Sequence, residues 1–376
     1  MRTAPLLATV AAIVLVLGVG SVAGTTVTTN GVDQSAVTTN ATLHVDADGA
    51  ADYRSIGAAV ADADDGDRIM VEPGVYREQV VVDRNVTLVG KRGAVVDGSR
   101  FENATGFVIP RESEAAPTIR GVAIRHVTVG VWANGTAGDW TVGNLSVVDA
   151  GTGVYAANTS GDWTVDGATV AVSTYNGIDA TAATGDWTVR NTRIVDGSGD
   201  GIDAQETTGN WSVVDGTIER VALTGIDTGS ATGAWSVEGS TVADARTGID
   251  ARSTTGAWTV ATVTATETTT GIAAPLSSGD WRVHDVRVDA TNVGVFAYQT
   301  AGDWLVENAT LTGAPRGVYA RWSTGNWTVR NATISTGDAA AWIASGVDAT
   351  GATGEWTVTD VDVETDGVPV RGRTAG

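Results

Sequence analysis

The chain has no cysteine, a single lysine (Lys91), three histidines (His44, His126, His284) and two methionines (Met1, Met70). Without cysteine there are no disulfides, thiolate metal sites, thiol nucleophile or Cys-linked lipid anchor, so the fold must be held by its core alone. Three scattered histidines and two methionines do not make a soft-metal site. Cations are scarce: 23 Lys and Arg stand against 44 Asp and Glu, giving a net charge of -21 and a pI of about 4.3. A surface this acidic repels nucleic acid and anionic lipid. It suits concentrated salt, where the screening length falls to about 3 Å at 1 M, and so points to a halophilic setting.

Residues 1–23 read as an export signal peptide: Arg2, an apolar run from Leu6 to Val19, and the small residues Ser21-Val22-Ala23 as cleavage site. An uncleaved anchor is the alternative; after cleavage nothing else in the sequence implies a membrane partner. Residues 24–42, rich in Thr, Asn and Val without a period, read as a flexible leader.

What the chain has in abundance is one phrase, Gly-x-Trp-(Thr/Ser)-Val. It runs from Trp140 through Trp163, Trp187, Trp211, Trp235, Trp258, Trp281, Trp304 and Trp327 to Trp356, at gaps of 23, 24, 24, 24, 23, 23, 23, 23 and 29 residues. Such a period marks stacked repeats. Each repeat divides into three short β-patterns; in one of them these are Trp187-Thr188-Val189, Thr192-Arg193-Ile194-Val195 and Gly201-Ile202-Asp203-Ala204. Three strands per repeat describe a triangular coil, stacked on its neighbours about 4.8 Å apart by parallel pairing. The expectation is a single-stranded parallel β-helix of about ten coils over residues 122–364. Alternation puts each Trp on the same side as its Val, hence inside, with Ala156, Ala180, Ala204 and Ala251 leaving it room; a bulge before each Trp would instead give an outward ladder that stacks on sugar rings.

Residues 43–121 read as an N-terminal cap with the first coils. Ser55 precedes Ile56, Ala59, Val60 and Ala63, spaced as one apolar helix face. Arg68–Val71, Val80–Val82 and Val86–Val89 read as strands, with Pro73-Gly74 as a turn. The run Asp52-Tyr53-Arg54-Ser55-Ile56, Gly66-Asp67-Arg68-Ile69, Pro73-Gly74-Val75-Tyr76-Arg77-Glu78 and Val86-Thr87-Leu88-Val89-Gly90 resembles the opening of pectinesterases. This resemblance covers about fifty residues and implies the pectin-lyase-like right-handed parallel β-helix; the Trp repeats look like the generic coils of NosD-like and carbohydrate-binding members. It also implies that Gly74–Glu78 is structural. The catalytic blocks of pectinesterases have no counterpart. Asp200-Gly201-Ile202-Asp203 resembles part of an aspartate motif of polygalacturonases, whose Gly-His-Gly block is missing.

The residue after Gly-(Ile/Val) in the third strand forms a column: Trp132, Tyr155, Asp179, Asp203, Asp227, Asp250, Ala273, Phe296, Tyr319, Asp348. With the preceding Ile or Val inside, this column is expected to face out. Carboxylates about 5 Å apart repel by roughly 3 kcal/mol at an effective dielectric of 20. Salt screening, a bound Ca²⁺ at Asp179, Asp203, Asp227 and Asp250, or proton sharing would each offset that cost. Arg252 beside Asp227 and Asp250 is the one candidate for a catalytic cation. Phe296, Tyr298, Tyr319 and Arg321, with Trp132 and Tyr155, are the candidate sugar-binding residues, since aromatics beside polar groups match the faces and edges of sugar rings.

Asn-x-Ser/Thr triplets at Asn40, Asn85, Asn103, Asn134, Asn144, Asn158, Asn210, Asn308, Asn326 and Asn331 are glycosylation acceptors by pattern. Residues 365–376 show no cap helix, which leaves end-to-end self-association as an expectation. The sequence therefore reads as a secreted, cell-surface β-helix that interacts with polysaccharide or cell-surface glycan without catalysis. A Ca²⁺-dependent polysaccharide lyase or other pectin-active enzyme using the Asp column, and a structural surface spacer, are the alternatives.

Overall fold

The computed structural model describes residues 40–337 and 343–372. The export signal and nearly all of the leader lie outside the described residues. From Asn40 onward the chain is a right-handed parallel β-solenoid of about 14 turns. The expected ten is too low because it counted only rungs that carry Trp. Four more rungs, Thr42–Val45, Arg68–Val71, Thr87–Gly90 and Thr118–Arg120, precede Trp140–Gly143 in the same parallel ladder. Leu43, Ile69, Leu88 and Ile119 there occupy the position of the repeat valine.

Each turn has three faces. The first carries the Trp strands, paired Trp to Trp along the whole run. The tryptophans are buried, and neighbouring rings stack with centroids 4.6–5.1 Å apart and planes within 4°. Four indole Nε1–H groups, of Trp140, Trp163, Trp211 and Trp304, donate to a threonine hydroxyl four residues earlier at 3.0–3.1 Å. The glycine of the phrase is a close-approach residue: a Cβ at Gly209 would stand 2.0 Å from the Gly185 carbonyl oxygen of the rung below. Where the residue before Trp is Asp or Asn, it ties successive rungs together; Asp162 Oδ1, for example, accepts the Asp186 backbone N–H at 2.8 Å. Asn210 and Asn326 do the same with their amide oxygens, so these exposed triplets already have a structural use.

The first and second faces meet at a single left-handed residue, such as Asn191 (φ 51°) or Asn308 (φ 52°), a conformation that Asn tolerates. The second and third faces also meet at single left-handed residues in some turns, giving unbroken strands such as Thr241–Asp250 with Asp244 at φ 53°. Between Ser173 and Thr224 the corner opens into loops, and the strands there separate, as in Arg193–Val195 and Ile202–Asp203.

The helix Ile56–Asp62 forms where expected, with Ser55 Oγ accepting the Ala58 N–H at 3.1 Å and Ile56, Ala59 and Val60 buried. Glu78 accepts the backbone N–H groups of Ile56 and Gly57 at 2.8 and 2.9 Å, and the Tyr76 hydroxyl donates to the Glu72 carbonyl at 2.8 Å. The Gly74–Glu78 block thus pins the cap to the first coils. Gly74–Tyr76 is itself a strand, paired with Ala94–Val96, rather than only the exit of a turn.

Candidate functional site

The third face brings the expected column together in register. Tyr155 pairs with Trp132 and Asp179; Asp179 with Asp203; Asp203 with Asp227; Asp227 with Asp250; and Ala273, Phe296, Tyr319 and Asp348 follow in order. The expectation that this column faces solvent needs correction. Asp203 is 9% exposed and Asp250 5%, while Asp179 and Asp227 are half-buried. The reason is local. Each carboxylate turns back onto the backbone two residues on: Asp179 Oδ1 accepts from Thr181 N (3.1 Å), Asp203 Oδ1 from Gln205 N (3.2 Å), Asp227 Oδ1 from Gly229 N (2.9 Å) and Asp250 Oδ1 from Arg252 N (3.0 Å). These are Asx turns that end the third strand. In these four rungs the Asp side chain serves the turn.

Two residues that the sequence reading did not assign complete the acidic centre. Asp200, 7% exposed, accepts the Thr224 N–H at 2.7 Å. Asn176 accepts the Asp200 N–H at 3.0 Å and donates to Asp203 Oδ2 at 3.2 Å. The signal was present: Asn176, Asp200 and Thr224 each precede the Gly-Ile pair and form their own column. Burial, then the neighbouring carboxylates Asp179 and Asp200, push Asp203 up to about 6 against the hydrogen bond from Gln205. Burial, then Asp250, Asp200 and Asp203, push Asp227 up to about 7. Burial likewise raises Asp200, with Asp250 and Asp179 adding to it. Burial first, and the neighbouring charges second, thus favour the protonated form of these three carboxyls.

The calcium expected at Asp179, Asp203, Asp227 and Asp250 does not fit this arrangement. Among the described residues no three carboxylate or imidazole side chains converge as a metal site requires. The column offers one carboxylate per rung, each already bound to a backbone N–H, whereas Ca²⁺ takes six to eight oxygens. Arg252 is likewise engaged: its guanidinium pairs with Asp250.

Aromatic residues flank the acidic centre on the same face. On one side Trp132 and Tyr155 lie with centroids 4.8 Å apart at 59°. On the other, Phe296, Tyr298 and Tyr319 form a shelf with centroids 5.4–6.2 Å apart, and Trp322, 45% exposed, stands edge-on to Tyr298 at 5.3 Å. Arg321 lies 5.3 Å over the Tyr319 ring while its Nε donates to Asp348 at 2.9 Å, and Arg316 stands at 5.3 Å from the same ring. Six rungs separate Tyr155 from Phe296, on the order of 29 Å at the spacing of paired strands.

No protein-family model matches the chain, and no curated protein does. Among solved structures, the catalytic unit of a thermostable GH87 α-1,3-glucanase from Streptomyces thermodiastaticus is similar at 18% identity and a TM-score of 0.59. That match covers 83% of this chain and 65% of the glucanase. PfbA, a surface adhesin of Streptococcus pneumoniae, is similar at 12% identity and a TM-score of 0.50, over 75% of this chain and 85% of the adhesin. The fold shared with them is the right-handed parallel β-helix. This chain spans less than two thirds of the glucanase it matches. Among the described residues no helix is long and apolar enough to cross a membrane.

Proposed function

We propose that the third face binds a linear polysaccharide on an exported, cell-surface protein, and that binding is its function. The observation that carries this reading is the single column in which aromatic rings stand on both sides of a polar, acidic centre. Sugar rings stack on such faces and donate hydroxyls to carboxylates between them. The rung spacing of about 4.8 Å is close to the length of one sugar unit, so a chain lying along the column meets one side chain per residue. The likeness in fold to a surface adhesin and to a glucanase supports a carbohydrate-related role. The test is a glycan array read with the wild type and with Tyr298→Ala and Tyr319→Ala. Binding lost in both variants supports the reading, and no binding of the wild type to any glycan removes it.

A second reading has its own observation. Asp203 and Asp227 are adjacent and titrate near 6 and 7, the range in which one carboxyl can donate a proton while a neighbour accepts one. That pair supports glycoside hydrolysis. Release of reducing ends from an α-glucan panel, abolished by Asp203→Asn or Asp227→Asn, would establish it. Unsaturated products from uronate polymers would instead indicate a lyase. A calcium titration of unfolding tests the remaining cation proposal: a rise in melting temperature at millimolar Ca²⁺ that is lost in the double Asn variant would restore it.

A further inference from the structure

A cleft lies over the corner between the second and third faces, away from the column. It has a volume of about 490 Å³. Two excursions of the chain build its walls. One follows Gly98 and carries Phe101, 41% exposed; the other follows Thr174 and carries Tyr175, 62% exposed. Between them the floor is made by two successive rungs, at His126 and Asp149, both left-handed corner residues (φ 52° and 53°). Gly151 keeps the floor low under the tyrosine: a Cβ there would stand 3.3 Å from Tyr175 Cδ2 and 2.6 Å from the Thr128 carbonyl oxygen.

The imidazole on this floor is held in one orientation. Asp97, 3% exposed, accepts from Ser99 N (3.0 Å), from Arg125 Nε (3.1 Å) and Nη2 (2.9 Å), and from His126 Nδ1 (3.1 Å). Burial alone would raise the Asp97 carboxyl, but these hydrogen bonds hold it well below the usual carboxylate range, so it is an acceptor only. Nδ1 faces the buried Asp97 carboxylate, which fixes the ring and leaves Nε2 on the side of Asp149. Nε2 faces Asp149 Oδ2 at 3.6 Å, and that carboxylate is largely exposed. At 3.6 Å this separation is longer than a hydrogen bond, so both polar atoms at the base of the aromatic-walled cleft are open to a ligand. Adjacent hydroxyls on a sugar ring stand side by side and both donate and accept, so each is able to reach one of the two atoms at hydrogen-bond length. The apolar face of the same ring lies against Tyr175 or Phe101. An anionic sugar is disfavoured by Asp149 in a protein of net charge -21.

We infer that this cleft binds a neutral sugar ring through two adjacent hydroxyls held by His126 and Asp149, between Phe101 and Tyr175. It is separate from the third-face column. His126 precedes Trp132 by six residues on the strand Ala123–Trp132, on the order of 20 Å of chain. The inference does not depend on the polysaccharide reading of that column.

The test uses the full chain and the methyl pyranosides of mannose, galactose and glucose, with binding followed by calorimetry and by the ¹⁵N resonances of the His126 ring. Saturable binding of at least one glycoside, with a shift at His126 Nε2, is expected. Methylating the two adjacent hydroxyls of that glycoside should abolish it. Tyr175→Ala should weaken it at least tenfold; this side chain is mostly exposed, so the variant keeps the fold. His126→Asn, which tolerates the left-handed backbone but cannot span the gap to Asp149, should weaken it as much. Tyr319→Ala should leave it unchanged. The inference is overturned if no glycoside binds, if the methylated analogue binds equally well, or if Tyr175→Ala binds as the wild type does. Loss of binding in Tyr319→Ala alone would assign the ligand to the third face instead and overturn it as well.

Discussion

The first and third faces are built on the same coil, yet they treat their repeated position in opposite ways. On the first face the position is Trp in ten successive rungs, buried and stacked. On the third face it changes from aromatic to Asp and back to aromatic within the same run. A residue that points into a stack must match the residue above and below it, because an unfilled rung leaves a cavity that its neighbours cannot close. A third-face carboxylate folds back onto its own backbone two residues on, so it need not match the residue of the rung above and is free to diverge. Uniformity along the column therefore marks what holds the protein together, and variation marks what it meets.

Breaking the uniform face should have the largest effect. Trp235→Ala, in the middle of the ladder, removes a ring stacked on both sides, at 5.0 Å from Trp211 and 4.8 Å from Trp258. We expect a loss of about 3–5 kcal/mol in denaturant unfolding. The variable face should respond with the opposite sign. Asp203 and Asp227 bind protons more tightly folded than unfolded, so below about pH 4 they cost nothing, and stability falls as pH rises through about 6 and 7. Asp203→Asn with Asp227→Asn should therefore stabilise at pH 8, on the order of 2 kcal/mol, and flatten the pH dependence between 4 and 8. A destabilised double variant at pH 8 would show that the charged carboxylates gain more from their backbone N–H donors than they lose to burial and repulsion. A third effect separates binding from stability. Tyr319→Ala should weaken glycan binding about tenfold, or about 1.4 kcal/mol, with the melting temperature unchanged.

The smallest effect lies inside the ladder. Trp187 and Trp235 have no hydrogen-bond partner for Nε1, and four residues earlier each has alanine, Ala183 and Ala231, where Trp163 and Trp211 have a bonded threonine. Ala183→Thr should supply the missing acceptor and stabilise by about 1 kcal/mol. Thr159→Val should cost a similar amount. Equal stability of both variants with the wild type would mean that the indole N–H is not short of a partner.

The period, the inward Trp and Val, the cap helix and the column through Asp179, Asp203, Asp227 and Asp250 were all legible in the residues, because each is a repeat or an alternation that one chain pass displays. The rungs before Trp140 were undercounted because Leu43, Ile69, Leu88 and Ile119 fill the stack without the signature residue. The burial of Asp203 and Asp250 was not legible. It depends on where the side chain folds back, and an Asx turn competes with an outward carboxylate by amounts that no spacing reveals.

The sequence by itself determined the coil and its order of faces, since hydrophobic alternation and a fixed period leave a parallel stack one way to bury its apolar side chains. Only the tertiary structure decided which polar groups meet. Asp97 reaches His126 across 29 residues and Asn176 reaches Asp203 across 27, each onto the next turn of the solenoid. Such contacts arise from the stacking of one turn on another, and the loops at the opened corner, which follow no repeat, set which side chains face the gap.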